Sequence, residues 1–197
     1  PKPSSAASDV YKRQGEYMKM LAMEDFCQLD LRLTQDKYKG SYERCAKIIE
    51  RYSCRKGLDM AELFMRLVFC FVVGNSDMHL KNFSLIETGE GTGTYSLSPA
   101  YDLLPVNVIM PEDKEQFALA MNGKKRNLHR KDFLVYADAC GISRVSAEKM
   151  LDAVIEQREK FVAMCEASLL PVHLKERFEK LIQERCDAIA KRTQRKE

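Results

Sequence analysis

Between Asn75 and Asn82 the chain reads NSDMHLKN, which sets a carboxylate (Asp77), an imidazole (His79), an amine (Lys81) and two amides side by side. An aspartate followed five residues later by an asparagine is the spacing of a phosphoryl-transfer loop. In such a loop the aspartate orients an attacking hydroxyl and accepts its proton, while the asparagine side-chain oxygen binds magnesium. Magnesium takes octahedral oxygen coordination and bridges phosphates, so a second hard oxygen ligand is required. Asp102, in LSPAYDLL, is the candidate. Spacing alone favours a plainer reading, a helix C-terminal turn with local side-chain bonds. Taken singly, His79 reads as a structural histidine and Lys81 as a solvated charge. The succession of loop, hairpin and second aspartate shifts the balance to a phosphotransferase.

Such a loop needs a rigid support, and the preceding residues supply one. The segment LDMAELFMRLVFCFVVG is apolar nearly all round, which predicts a buried central helix. Asp59 is its expected N-cap, with Glu62 completing a capping box, and Gly74 its expected stop. Residues Phe83 to Ile86 and Tyr95 to Leu97 alternate like short strands around ETGEGTGT, predicting a hairpin. Upstream, the pattern reads as helical from Gly15 through MEDFCQLDLRL, and YERCAKIIERYS places Cys45, Ile48, Ile49 and Tyr52 on one helix face. Downstream, Pro99, Pro105 and Pro111 predict loop. Further helices are expected in RKDFLVYADACG, stopped by Gly141, in a long stretch N-capped by Ser146, and after Pro171. The fold class is mainly α with one small β-hairpin.

With 197 residues and a net charge of +3, the chain can bury a real core and shows no charge bias toward nucleic acid or acidic membranes. Its seven cysteines form no C-x-x-C pair and fit no zinc template, which implies reduced thiols, most of them buried, and a cytoplasmic protein. LFMRLVFCFVV is too short for a membrane span and contains Arg66, and the N-terminus lacks the apolar segment of a secretion signal. Residues 1–14, PKPSSAASDVYKRQ, read as a non-native or unstructured tail, leaving residues 15–197 as one unit.

GNSDMHLKNFSLI followed by YSLSPAYDLLP resembles the C-terminal domain of HipA-like proteins, bacterial serine/threonine kinases that act as toxins of toxin–antitoxin pairs. MEDFCQ, KYKGSYE, ALAMNGKKRNLHRKDFL and the turn at Gly141 look like family segments in family order. The resemblance implies a protein-kinase-like large lobe that uses ATP and Mg2+. Asp77 matches the catalytic aspartate, Asn82 and Asp102 the two magnesium-binding positions, and His79 and Lys81 the residues that line the nucleotide phosphates. It implies phosphorylation of a serine on a protein, in the best-known case an aminoacyl-tRNA synthetase. It also implies a helix-turn-helix antitoxin partner, through which alone DNA would be reached. Met78 departs from the acidic or small residue of many relatives. A larger departure is that nothing matches the small lobe: no Gly-rich phosphate loop precedes the catalytic loop, and no strand lysine pairs with a helix glutamate. The chain is thus expected to be a large lobe with the small lobe missing and little activity alone.

Two other readings compete. The pattern Asp77-x-His79-x-x-Asn82 is shared with small-molecule kinases of the aminoglycoside and choline type, although MEDFCQ and SPAYD favour the HipA-like family. A non-catalytic module docking antitoxin or DNA would use the basic run GKKRNLHRK, but that run lacks aromatic interleaving and reads better as a solvated loop. Ser96 and Ser98 have no histidine nearby in sequence to make a hydrolase, and Met18, Met20 and Met23 read as core or fraying contacts rather than a metal site.

Overall fold

The computed structural model describes residues 12–14 and 17–190. Its centre is a helix, α3 (Lys56–Val73), with Leu63, Phe64, Leu67, Val68, Cys70, Phe71 and Val72 all fully buried. Each such Leu, Val or Phe contributes about 1.5–3 kcal/mol by leaving water, so this helix is the strongest organiser of the chain. Around it pack α2 (Tyr42–Tyr52), α5 (Arg130–Ala139), α6 (Arg144–Ile155), α7 (Arg158–Glu166) and α8 (Val172–Ala190). Aromatic rings knit the centre. Phe64 stacks on Tyr136, and Phe71 meets Phe117 and Phe133 edge-on.

The expected hairpin forms from β4 (Ser84–Glu87) and β5 (Tyr95–Leu97), antiparallel with Leu85 opposite Leu97. A third strand, β3 (Met23–Asp25), pairs with β4, Met23 opposite Ile86. This corrects the helix expected from Gly15 onward. Residues Tyr17–Lys19 are β2, paired with β1 (Lys12–Gln14), and the only helix in MEDFCQLDLRL is the single turn α1 (Phe26–Leu29). Met23 and Asp25 point inward and Glu24 outward, a period of two that the neighbouring strand selects over helical propensity. Asp25 then caps α1, accepting from Gln28 N at 2.9 Å.

Asp59 is not a cap. The helix α3 starts three residues earlier, after Arg55, and Asp59 lies inside it at 2% exposure. Its carboxylate accepts from Ser53 Oγ at 2.6 Å, Leu97 N at 2.7 Å and Arg55 Nη2 at 3.1 Å, fixing β5 against the helix. A buried carboxylate is tolerated where several donors replace its water. Tyr52 also departs from expectation. Cys45, Ile48 and Ile49 are buried, but Tyr52 is 39% exposed at the end of α2, beneath the Arg51 guanidinium.

The proline-rich segment is loop, apart from one turn, α4 (Val106–Ile109). Gly141 follows α5 with φ +70°. The long helix expected from Ser146 starts earlier, with Ser143 as N-cap, and breaks at Glu156 and Gln157 into α6 and α7. Pro171 opens α8, its carbonyl accepting from Leu174 and Lys175. Most of the tail expected at residues 1–14 lies outside the described residues, as do residues 191–197, but Lys12–Gln14 form β1. Among the described residues no helix is long and apolar enough to cross a membrane. All seven cysteines are free thiols. The basic run is largely internally neutralised: Lys124 pairs with Asp132, Lys125 with Glu115, and buried Arg130 with Asp152.

Candidate active site

The polar turn begins where α3 ends. Gly74 adopts the left-handed conformation, φ +72°, and Asn75 N reaches back to Cys70 O at 2.8 Å, closing the helix in a Schellman-type stop. No side chain would fit here easily, because a Cβ on Gly74 would stand 2.8 Å from Leu181 Cδ2. The chain therefore leaves the core in one fixed direction. Asn75, 1% exposed, accepts from Asp77 N at 3.3 Å and donates to Asp102 O at 3.2 Å. Ser76 donates to Asp113 Oδ2 at 2.9 Å. Met78, the departure from family pattern, is fully buried, and its carbonyl accepts from Tyr42 at 3.0 Å. Its side chain belongs to the core.

The segment Lys37–Lys39 lies along the turn, tied by Leu80 N to Lys37 O at 3.1 Å. It delivers Tyr38, whose hydroxyl donates to Asp77 Oδ1 at 2.8 Å and whose ring meets His79 edge-on, 5.0 Å between centroids. Burial, and then the bond to Asp77, push the Tyr38 phenol up to about 12. His79 is 5% exposed and its Nδ1 has no partner. Burial and nearby Lys37 lower its pKa below the usual histidine value, against the pull of Asp77 and Asp102. The imidazole is thus neutral at neutral pH.

The second part of the site comes from the loop after β5. Buried Arg66 of α3 donates to Ser98 O at 2.8 Å, and Tyr101 donates to Lys81 O at 2.8 Å and contacts Ser84 Oγ at 2.6 Å. Held from both sides, Asp102 takes φ +56°, a left-handed backbone that costs a non-glycine residue of order 1 kcal/mol. Its carboxylate accepts from Asn82 Nδ2 at 2.7 Å. Asn82 is 3% exposed, and with Nδ2 engaged its Oδ1 is the atom able to serve as a ligand.

Twenty positions apart in sequence, Asn82 and Asp102 are thus in direct contact, and Asp77 and His79 share Tyr38. Lys81 turns to Asp25, Nζ to Oδ2 at 2.6 Å, joining the turn to β3. Among the described residues no three His, Cys, Asp or Glu side chains form a metal cage. What Asn82 and Asp102 offer is an amide oxygen and a carboxylate, which suits magnesium when phosphates and water complete its shell. The sequence reading missed Tyr38, Tyr101, Arg66 and Asp25. Tyr101 adjoins Asp102 in SPAYD, but nothing local marks the other three.

A family profile described as "HipA-like C-terminal domain" matches residues 9–163, beginning within the segment read as a tail. The "Putative kinase Y4dM" of Sinorhizobium fredii is 34% identical over 147 residues, covering 74% of this chain and 34% of that protein. A "Putative kinase" of Haemophilus influenzae is 25% identical, covering 66% of this chain and 42% of that one. The chain thus spans well under half the length of these curated relatives. In fold it matches a chain of the Shewanella oneidensis toxin–antitoxin complex of HipA, HipB and operator DNA, with TM-score 0.77 at 16% identity, covering 91% of this chain and 47% of that one. It also matches the Helicobacter pylori proinflammatory kinase CtkA, with TM-score 0.52 at 14% identity, covering 86% and 68%. The helix-rich fold with its three-stranded antiparallel sheet is thus shared with the HipA and CtkA structures.

Proposed function

Because this chain belongs to the HipA-like C-terminal domain family, we propose that it is the large-lobe portion of an ATP-dependent kinase that phosphorylates a serine on a protein. The observation that carries this reading is the contact between Asn82 and Asp102, 2.7 Å, directly beside the turn that bears Asp77.

Asp77 is assigned as the base. Tyr38 occupies its Oδ1, which orients the carboxylate and leaves Oδ2 to accept the proton of the attacking serine hydroxyl. Asn82 Oδ1 and the Asp102 carboxylate are assigned as magnesium ligands, and magnesium, when bound, neutralises charge on the transferring phosphoryl group. The strained Asp102 backbone is held by Asn75 and preset by its neighbours, so the carboxylate need not be ordered when ligand arrives. His79, neutral and buried, and Lys81, partly exposed beside Asp25, are assigned to the nucleotide phosphates. The part proposed for this chain is nucleotide and metal binding. A helix-turn-helix antitoxin is the proposed partner, supported by the HipA–HipB–DNA assembly of the Shewanella relative.

Calorimetric titration of ATP into the chain, with and without magnesium, tests the assignment. Weak binding that requires magnesium and falls at least about tenfold in both Asn82→Ala and Asp102→Ala is expected, each change removing a charge-assisted contact of about 1.5–3 kcal/mol. Binding that ignores both substitutions would sink the metal assignment.

A further inference from the structure

Behind the catalytic turn, on the side formed by α8, lies a cavity of about 440 Å³. Lys114, Arg177, Lys180 and Arg185 line it, against two carboxylates, Asp113 and Glu184. The cations are poorly compensated. Arg177 donates to Val108 O at 2.7 Å, Lys114 to Pro111 O at 2.7 Å, and Arg185 to Asn107 Oδ1 at 3.2 Å, all neutral acceptors. Lys180 reaches Glu184 only at 3.9 Å, and Asp113 is already engaged by Ser76 and by Glu115 N.

Arg185 shows the imbalance most clearly. Its guanidinium lies over the Phe71 ring at 4.7 Å, and its Nη1 is buried without a partner. Burial lowers its pKa to about 10, so it stays charged at neutral pH while poorly solvated. Arg177 and Lys180, both exposed at the cavity, present the charged donors that recognise a multiply charged oxyanion, and the buried Arg185 guanidinium adds its charge behind them. Converging cations also focus a positive potential within the cavity.

We propose that this cavity is a binding site for a phosphate-class oxyanion, separate from the catalytic turn. Helix α8 lies beyond the stretch matched by the family profile, and the inference stands apart from the kinase reading. The cavity is also connected to the turn. Arg185 holds Asn107, Asn107 N donates to Gly74 O at 2.9 Å, and Leu181 of the same helix packs on Gly74. An oxyanion drawing on Arg185 would thus act on the residue that braces the start of the loop.

The test is calorimetric titration of inorganic pyrophosphate and phosphate into the chain in chelator, which silences a magnesium-dependent site. Saturable binding is expected, weakened at least tenfold in Arg177→Gln/Lys180→Gln, retained in the charge-preserving Arg177→Lys/Lys180→Arg, and unchanged within twofold in Asn82→Ala/Asp102→Ala. Circular dichroism of each variant controls for folding. Adenosine monophosphate run alongside separates a phosphomonoester from a free oxyanion as the preferred form. No binding at millimolar pyrophosphate would overturn the proposal, as would loss of binding in the Asn82/Asp102 variant with retention in the Arg177/Lys180 glutamine variant.

Discussion

Gly74 carries a sharp prediction about how the polar turn is held. Replacing it by alanine puts a Cβ on a residue at φ +72°, which costs about 1–2 kcal/mol in backbone strain. The same Cβ falls 2.8 Å from Leu181 Cδ2 and 3.3 Å from Asn107 Cβ, so α8 or α4 must shift, at about 1–3 kcal/mol for overpacking. Together Gly74→Ala should destabilise the chain by about 2–5 kcal/mol, or a fall of roughly 4–20 °C in melting temperature for this size. Two other glycines serve as controls. Gly91 has φ +67° but nothing within 4 Å, so Gly91→Ala should cost the backbone term alone. Gly57 sits in α3 with ordinary φ and open space, so Gly57→Ala should stabilise by about 0.4–1 kcal/mol. Urea unfolding of the three variants, with a Gly74→Ala/Leu181→Ala double-mutant cycle, reads both contributions. The cycle should show coupling of at least about 0.5 kcal/mol, because truncating Leu181 relieves the clash. Equal effects at Gly74 and Gly91, or additivity in the cycle, would refute the claim that α8 braces the turn.

Asp59→Ala should cost about 3 kcal/mol or more in urea unfolding, since it strands the Leu97 N–H, Ser53 and Arg55 that share one buried carboxylate; a loss below about 1 kcal/mol would contradict its tethering role. His79 has a lowered pKa in the folded chain, so the unfolded state binds its proton more readily. Stability from this residue is therefore present above about pH 6.5 and is lost as pH falls toward the folded pKa. Comparison of urea midpoints at pH 7.5 and 5.5 should show a drop in the wild type that is smaller in His79→Gln. Thiol titration under native conditions should find one fast cysteine, Cys54, which alone is exposed, and seven in denaturant. Burial pushes Cys70 up to about 12 and Cys140 up to about 11, which keeps both slow.

How far the sequence could be read depended on whether the determining interaction was local. The central helix was legible because its apolar run and the stop at Gly74 are properties of neighbouring residues. The hairpin was legible from alternation around a glycine-rich loop. Asn82 and Asp102 were singled out as magnesium-binding positions from their order along the chain, and the fold brings the two into hydrogen-bond contact. Where Ser143 rather than Ser146 caps α6, the two serines were near equivalents in sequence, and in the fold the Ser143 hydroxyl accepts from Ser146 N at 3.1 Å.

The residues that sequence reading missed depend on distant partners. Tyr38 meets Asp77 across 39 positions, and Lys81 meets Asp25 across 56. Met23–Asp25 has too few residues for periodicity to register, and becomes a strand because β4 offers it an edge. Asp59 looked like a cap because an aspartate near a helix start usually is one, yet the helix extends past it and closes on β5. By itself the sequence determined which segments bury and which side chains could do the chemistry, since both follow from residue type and short-range period. Only the tertiary structure decided how those side chains are oriented, because a hydrogen bond or ion pair depends on distances that chain folding alone creates.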